Sequence, residues 1–77
     1  MEIKVLGTGC AGCKVLHQTV LQAVAELGVA ATVVKEEDLM RIMAYNVLQL
    51  PALVIDDRVV AQGRKLSLSD VKTLIEK

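Results

Sequence analysis

The feature that most constrains this chain is a change of hydrophobic period across Gly7-Thr8-Gly9. Before it, Glu2-Ile3-Lys4-Val5-Leu6 alternates polar and apolar residues and carries β-branched Ile3 and Val5, the pattern of a short strand. After it, from Cys13, the apolar positions Leu16, Val20, Ala23, Val24 and Leu27 recur at steps of three and four. Lys14, Gln18, Gln22 and Glu26 fall on the other side, so the spacing predicts an amphipathic helix that ends at Gly28. Cys10-Ala11-Gly12-Cys13 lies at the junction between strand and helix.

The remaining elements follow from the same signals. Ala31-Thr32-Val33-Val34-Lys35 is short and β-branched and reads as a second strand. Glu36, Glu37 and Asp38 place negative charge where a helix begins, and Leu39, Ile42 and Met43 give the stripe of a shorter helix running to about Asn46. After Leu50-Pro51, Ala52-Leu53-Val54-Ile55 reads as a strand buried on both faces. Asp56-Asp57 turns the chain, and Arg58-Val59-Val60-Ala61 returns as a hairpin strand closed by Gly63. Ser67 and Asp70 have capping-box spacing before a last helix whose face is Val71, Leu74 and Ile75.

The predicted order is β-α-β-α-β-β-α. A helical crossover between the first two strands calls for parallel pairing, and a two-residue link between the last two calls for an antiparallel hairpin. The expected fold is an α/β domain, a mixed four-stranded sheet covered by helices, occupying residues 1–77 as a single unit. Hydrophobic residues make up 53% of the chain but Tyr45 is its only aromatic, so the core must be aliphatic, with Met40, Met43 and Tyr45 read as packing.

Nine Lys plus Arg balance nine Asp plus Glu. No electrostatic footprint for nucleic acid or an anionic membrane follows from that balance, and Arg58, Arg64 and Lys65 read as solvated charge. No apolar run approaches the ~20 residues of a membrane span, and the N-terminal stretch does not have the form of a signal peptide, so the expectation is a cytoplasmic protein. Two cysteines are a thin disulfide framework for a secreted domain, and a close pair in a reducing compartment points to catalysis or metal capture.

Two intervening residues in a first helical turn bring the sulfurs of Cys10 and Cys13 close enough to form a disulfide. Cys13 continues the apolar stripe and is expected inward. Cys10 falls at the helix N-terminus, where unpaired amides and the dipole favour a thiolate. Cys10 is therefore the expected nucleophile and Cys13 the resolving thiol, with small Ala11 and Gly12 leaving the nucleophile open. The rival reading is a copper- or zinc-binding C-x-x-C module of the metal-chaperone kind, with Cys10, Cys13 and His17 as ligands. Against it, His17 neighbours Lys14 and Gln18 on the polar face, and no further Cys or His completes four-coordinate zinc.

The Val-Leu-Gly-Thr-Gly-Cys-x-x-Cys opening resembles the thioredoxin-like superfamily and its small, glutaredoxin-sized redox-active disulfide proteins. Pro51-Ala52-Leu53-Val54-Ile55-Asp56, with Val59-Val60 and Gly63 after it, adds to that resemblance. The resemblance implies a dithiol–disulfide oxidoreductase with no cofactor beyond the Cys10/Cys13 couple. It implies that Pro51 is cis and lies against the cysteine pair, with Leu50 offering its backbone to an incoming substrate. Gly9, Ala11 and Gly12 are assigned to substrate binding with them. The implied partners are disulfide-containing proteins or small thiols and a thioredoxin-reductase-like or other dithiol reductant, acting on a monomer. The chain departs from standard thioredoxins at Gly9, where they carry Trp, between the cysteines, where Pro is absent, and at Lys4, where they place a buried acid.

Overall fold

The computed structural model describes residues 1–9 and 11–76. Four strands, β1 (Glu2–Leu6), β2 (Thr32–Glu36), β3 (Ala52–Ile55) and β4 (Arg58–Gln62), form one sheet in the order β2-β1-β3-β4. Three helices, α1 (Ala11–Leu27), α2 (Leu39–Met43) and α3 (Leu68–Glu76), complete the α/β fold. The pairing of β1 with β2 is parallel, as a helical crossover requires, and that of β3 with β4 is antiparallel. β1 also pairs antiparallel with β3, which places the first and third strands at the centre of the sheet.

Alternation along the two central strands sorts the core into two layers. Ile3, Val5, Leu53 and Ile55 point to one face and pack with Leu16, Val20 and Ala23 of α1 and with Val71 and Ile75 of α3. Leu6, Ala52 and Val54 point to the other and meet Ile42 of α2. Each such aliphatic side chain contributes about 1.5–3 kcal/mol when fully buried, and the first layer holds most of them. The ion pair of Lys72 on α3 with Glu26 on α1 ties those two helices together at 2.5 Å.

Local chemistry explains the turns. Asp56 and Asp57 have φ of 48° and 66°, the left-handed geometry of a tight hairpin that acidic residues tolerate without Gly. Val54 pairs with Val59 while Leu53 pairs with Ala61, so Val60 is an extra residue that bulges β4. The capping box at α3 is reciprocal. The Ser67 amide donates to Asp70 Oδ2 and the Asp70 amide donates to Ser67 Oγ, both at 3.1 Å.

Several boundaries differ from the sequence-based expectations. β2 begins and ends one residue later than expected, β4 runs one residue further, and α2 stops at Met43, three residues short of Asn46. Asn46 has φ 59°, so the chain has already turned there. Met40 and Met43 do not fill the core. They are 76% and 61% exposed, and Leu39 is 57% exposed. In a helix of one and a half turns only one position, Ile42, can face the sheet, so the apolar residues around it are left in water.

Candidate functional site

The site lies where β1 runs out. Cys10, expected as the nucleophile, falls outside the described residues. Cys13 is on the inward stripe of α1 at 5% exposure, and its sulfur is not a free thiol in this structure. What lets it sit so deep is Gly7, the residue after β1. A Cβ at Gly7 would lie 2.8 Å from Cys13 Cβ and would overlap Sγ outright. Gly7 is itself buried, and its amide donates to the Glu36 carbonyl at 3.0 Å, so the backbone cannot retreat without breaking the end of the sheet.

The residues expected around the pair fall into two groups. Gly12 and Pro51 come together: a Cβ built on Gly12 would stand 3.8 Å from Pro51 Cδ, ordinary van der Waals contact. The Leu50–Pro51 peptide is cis. Ala11 is exposed at the start of α1, and Gly9, also exposed, has φ 84°. Leu50 is half-buried and packs into the second core layer with Tyr45, Val47 and Val59, so its side chain is engaged there. His17 is half-buried on α1, and among the described residues no three His, Cys, Asp or Glu side chains come together in a way that could hold a metal ion.

Pro51 borders a cavity of about 400 Å³ lined by Gly12, Val15, Leu16, Gly63, Arg64, Lys65 and Leu66. The far wall is pinned, because the Gly63 amide donates to the Pro51 carbonyl at 2.9 Å. Gly63 has φ 64°, and a Cβ there would collide with the Gln49 side chain, so only glycine allows this close approach. Arg64 and Lys65, read from sequence as plain solvated charge, are thus part of the cavity. No periodicity or motif marks them, since the signal is a contact between segments far apart in the chain.

Lys4 stands where an acid is expected from the resemblance, and its amine is occupied on the α2 side of the sheet. Nζ donates to the Tyr45 hydroxyl at 2.9 Å, lies 3.7 Å from Glu2 Oε1 and sits 5.5 Å from the Tyr45 ring centre. The Tyr45 hydroxyl in turn donates to Asp57 Oδ1 at 3.4 Å. The hydrogen bond that Lys4 donates to Tyr45, with the nearby carboxylates behind it, holds the Lys4 pKa above its ordinary value, so this lysine stays charged. Tyr45 packs against the second core layer, as its sequence context predicts. Its hydroxyl also joins β1 to the hairpin, which only the tertiary fold can reveal.

Comparison with known proteins agrees with this architecture. A family model described as a thioredoxin domain matches residues 1–76. A protein named thioredoxin from Methanothermobacter thermautotrophicus is 33% identical over 75 residues, covering 97% of each chain. Another of that name from Methanocaldococcus jannaschii is 36% identical over 70 residues, 91% of this chain and 80% of that one. The structure of thioredoxin 1 from Thermosipho africanus superposes with a TM-score of 0.69 at 20% identity, covering 99% of this chain and 91% of the other, which shows the fold. No helix among the described residues is long and apolar enough to cross a membrane. The chain belongs to the thioredoxin domain family, a family of thiol–disulfide oxidoreductases.

Proposed function

We propose that this protein reduces disulfides in partner proteins or small thiols through a Cys10/Cys13 dithiol couple, with no other cofactor. The observation that carries the reading is the placement of Cys13, buried on the first turn of α1 beside Gly12, which lines the same solvent-facing cavity as Pro51. A resolving thiol needs that shelter, because it must act only after a partner has been captured at the helix start.

The Cys10 thiolate attacks one sulfur of the target disulfide. A mixed disulfide forms, and the departing target thiolate takes a proton. Cys13 then loses its proton and attacks the Cys10 sulfur, releasing the second target thiol and closing Cys10–Cys13. Two electrons and two protons have passed to the target, and a dithiol reductant of the thioredoxin-reductase kind restores the couple. Gly9 and Gly12 have no side chain and Ala11 only a methyl, so this stretch leaves its backbone open to a partner. Leu50, beside Pro51, offers main chain to an extended partner, a limited form of strand addition.

Cys10→Ser abolishes reduction of a protein disulfide such as that of insulin. Cys13→Ser instead accumulates mixed disulfides with targets, visible by mass. Full activity in Cys10→Ser contradicts the assignment.

A further inference from the structure

We propose that the cavity beside Pro51 selects protein disulfides whose flanking sequence carries an acidic side chain, with Arg64 and Lys65 as the specificity-determining cations. The proposal rests on the oxidoreductase reading above and names the class of partner that reading leaves open.

The cavity walls are apolar, from Val15, Leu16, Pro51 and Leu66, and among the described residues its only charged lining comes from Arg64 and Lys65. Four cations elsewhere, Lys4, Lys35, Arg41 and Lys72, each lie within 4.0 Å of a carboxylate. Among the described residues Lys14, Arg58, Arg64 and Lys65 form no such pair, and of these four only Arg64 and Lys65 line the cavity. Asp70 attracts Arg64 from the α3 side without forming an ion pair within 4.0 Å, and its carboxylate accepts from the Ser67 amide.

The backbone that carries the two exposed cations is held at both ends. Gly63 is hydrogen-bonded to the Pro51 carbonyl on one side, and buried Leu66 and the Ser67–Asp70 capping box fix the other. Two positive charges at the mouth of an apolar cleft favour an anion there, so an extended segment pairing an acidic residue with apolar neighbours complements the cavity. Because the chain as a whole is neutral, the preference is local to this mouth and does not come from long-range attraction.

Three disulfide-bridged peptides differing only in Asp, Asn or Lys beside one cysteine provide the test, scored by kcat/KM. The expected ratio of Asp to Lys peptide is roughly threefold to tenfold at low salt, as two exposed charge pairs supply, falling towards one at about 1 M salt. Arg64→Glu with Lys65→Glu inverts the ratio, and Arg64→Gln with Lys65→Gln flattens it. A wild-type ratio near one while the Asn peptide is reduced overturns this proposal alone, as does a ratio that persists in both double variants. Failure to reduce even the Asn peptide overturns the oxidoreductase reading, and this proposal falls with it.

Discussion

On one face of the sheet, two helices of seventeen and nine residues close over Ile3, Val5, Leu53 and Ile55. On the other, the five-residue α2 gives Leu6, Ala52 and Val54 only Ile42, and half-buried Tyr45, Val47 and Leu50 from the chain after it complete the layer. The cysteine motif belongs to the heavy face, because Cys13 shares its helix with Leu16, Val20 and Ala23. A reacting group gains from that mounting: its geometry is held by the part of the fold that opens last. The light face carries connections and exposed apolar side chains.

The contrast is broken most directly by cutting one side chain from each layer. Leu53→Ala on the heavy face is expected to cost 2–5 kcal/mol, and Ile42→Ala is expected near the lower end, since the short α2 can settle into the space. For a domain this small, with total stability on the order of 5 kcal/mol, Leu53→Ala approaches complete unfolding in a urea titration. Equal losses at both positions contradict the division into heavy and light faces.

Gly7→Ala sharpens the link between the heavy face and the sulfur. The added methyl meets Cys13, so overpacking of about 1–3 kcal/mol is expected, together with faster alkylation of Cys13 in the reduced protein as it is pushed outward. Unchanged stability and labelling show that the strand end and the helix are not locked together there.

A smaller effect is expected at the start of α3. Ser67→Ala removes one arm of the capping box, at about 1 kcal/mol. The Ser67 amide and hydroxyl hold the Asp70 pKa below its ordinary value of 3.8. A carboxylate lowered on folding lends stability above that ordinary value and loses it as pH falls through the folded one. The difference in melting temperature between wild type and Ser67→Ala is therefore expected to be full at neutral pH and to shrink below about pH 4. The smallest change belongs to the light face: Met43→Gln, on a largely exposed side chain, is expected within about 0.5 kcal/mol of wild type in the same urea titration.

Most of the fold has local causes that can be read in the sequence. The period change at Gly7 to Gly9, the stripe from Cys13 to Leu27, the Asp56-Asp57 turn and the Ser67/Asp70 box each mark an element the structure contains. What escapes reading is tertiary. The stripe of Leu39, Ile42 and Met43 looks like a core face, but α2 is too short to bury more than Ile42. The β1/β3 pairing has no sequence signal because the partners are joined through two helices and a strand. At the site, the C-x-x-C motif and Pro51 stand out as residue types, whereas Gly7 under Cys13 and Arg64 with Lys65 beside Pro51 matter only through contacts made on folding.

The central claim is that Cys10 and Cys13 act as one two-electron couple. Equilibrating the protein in redox buffers of graded potential, quenching with an alkylating agent and counting labels by mass tests it directly. The account predicts that species carrying two labels and none interconvert along a single two-electron curve, with the unlabelled species absent in Cys13→Ser. Two thiols that label independently at every potential, at the rate of a cysteine in a free peptide, contradict it.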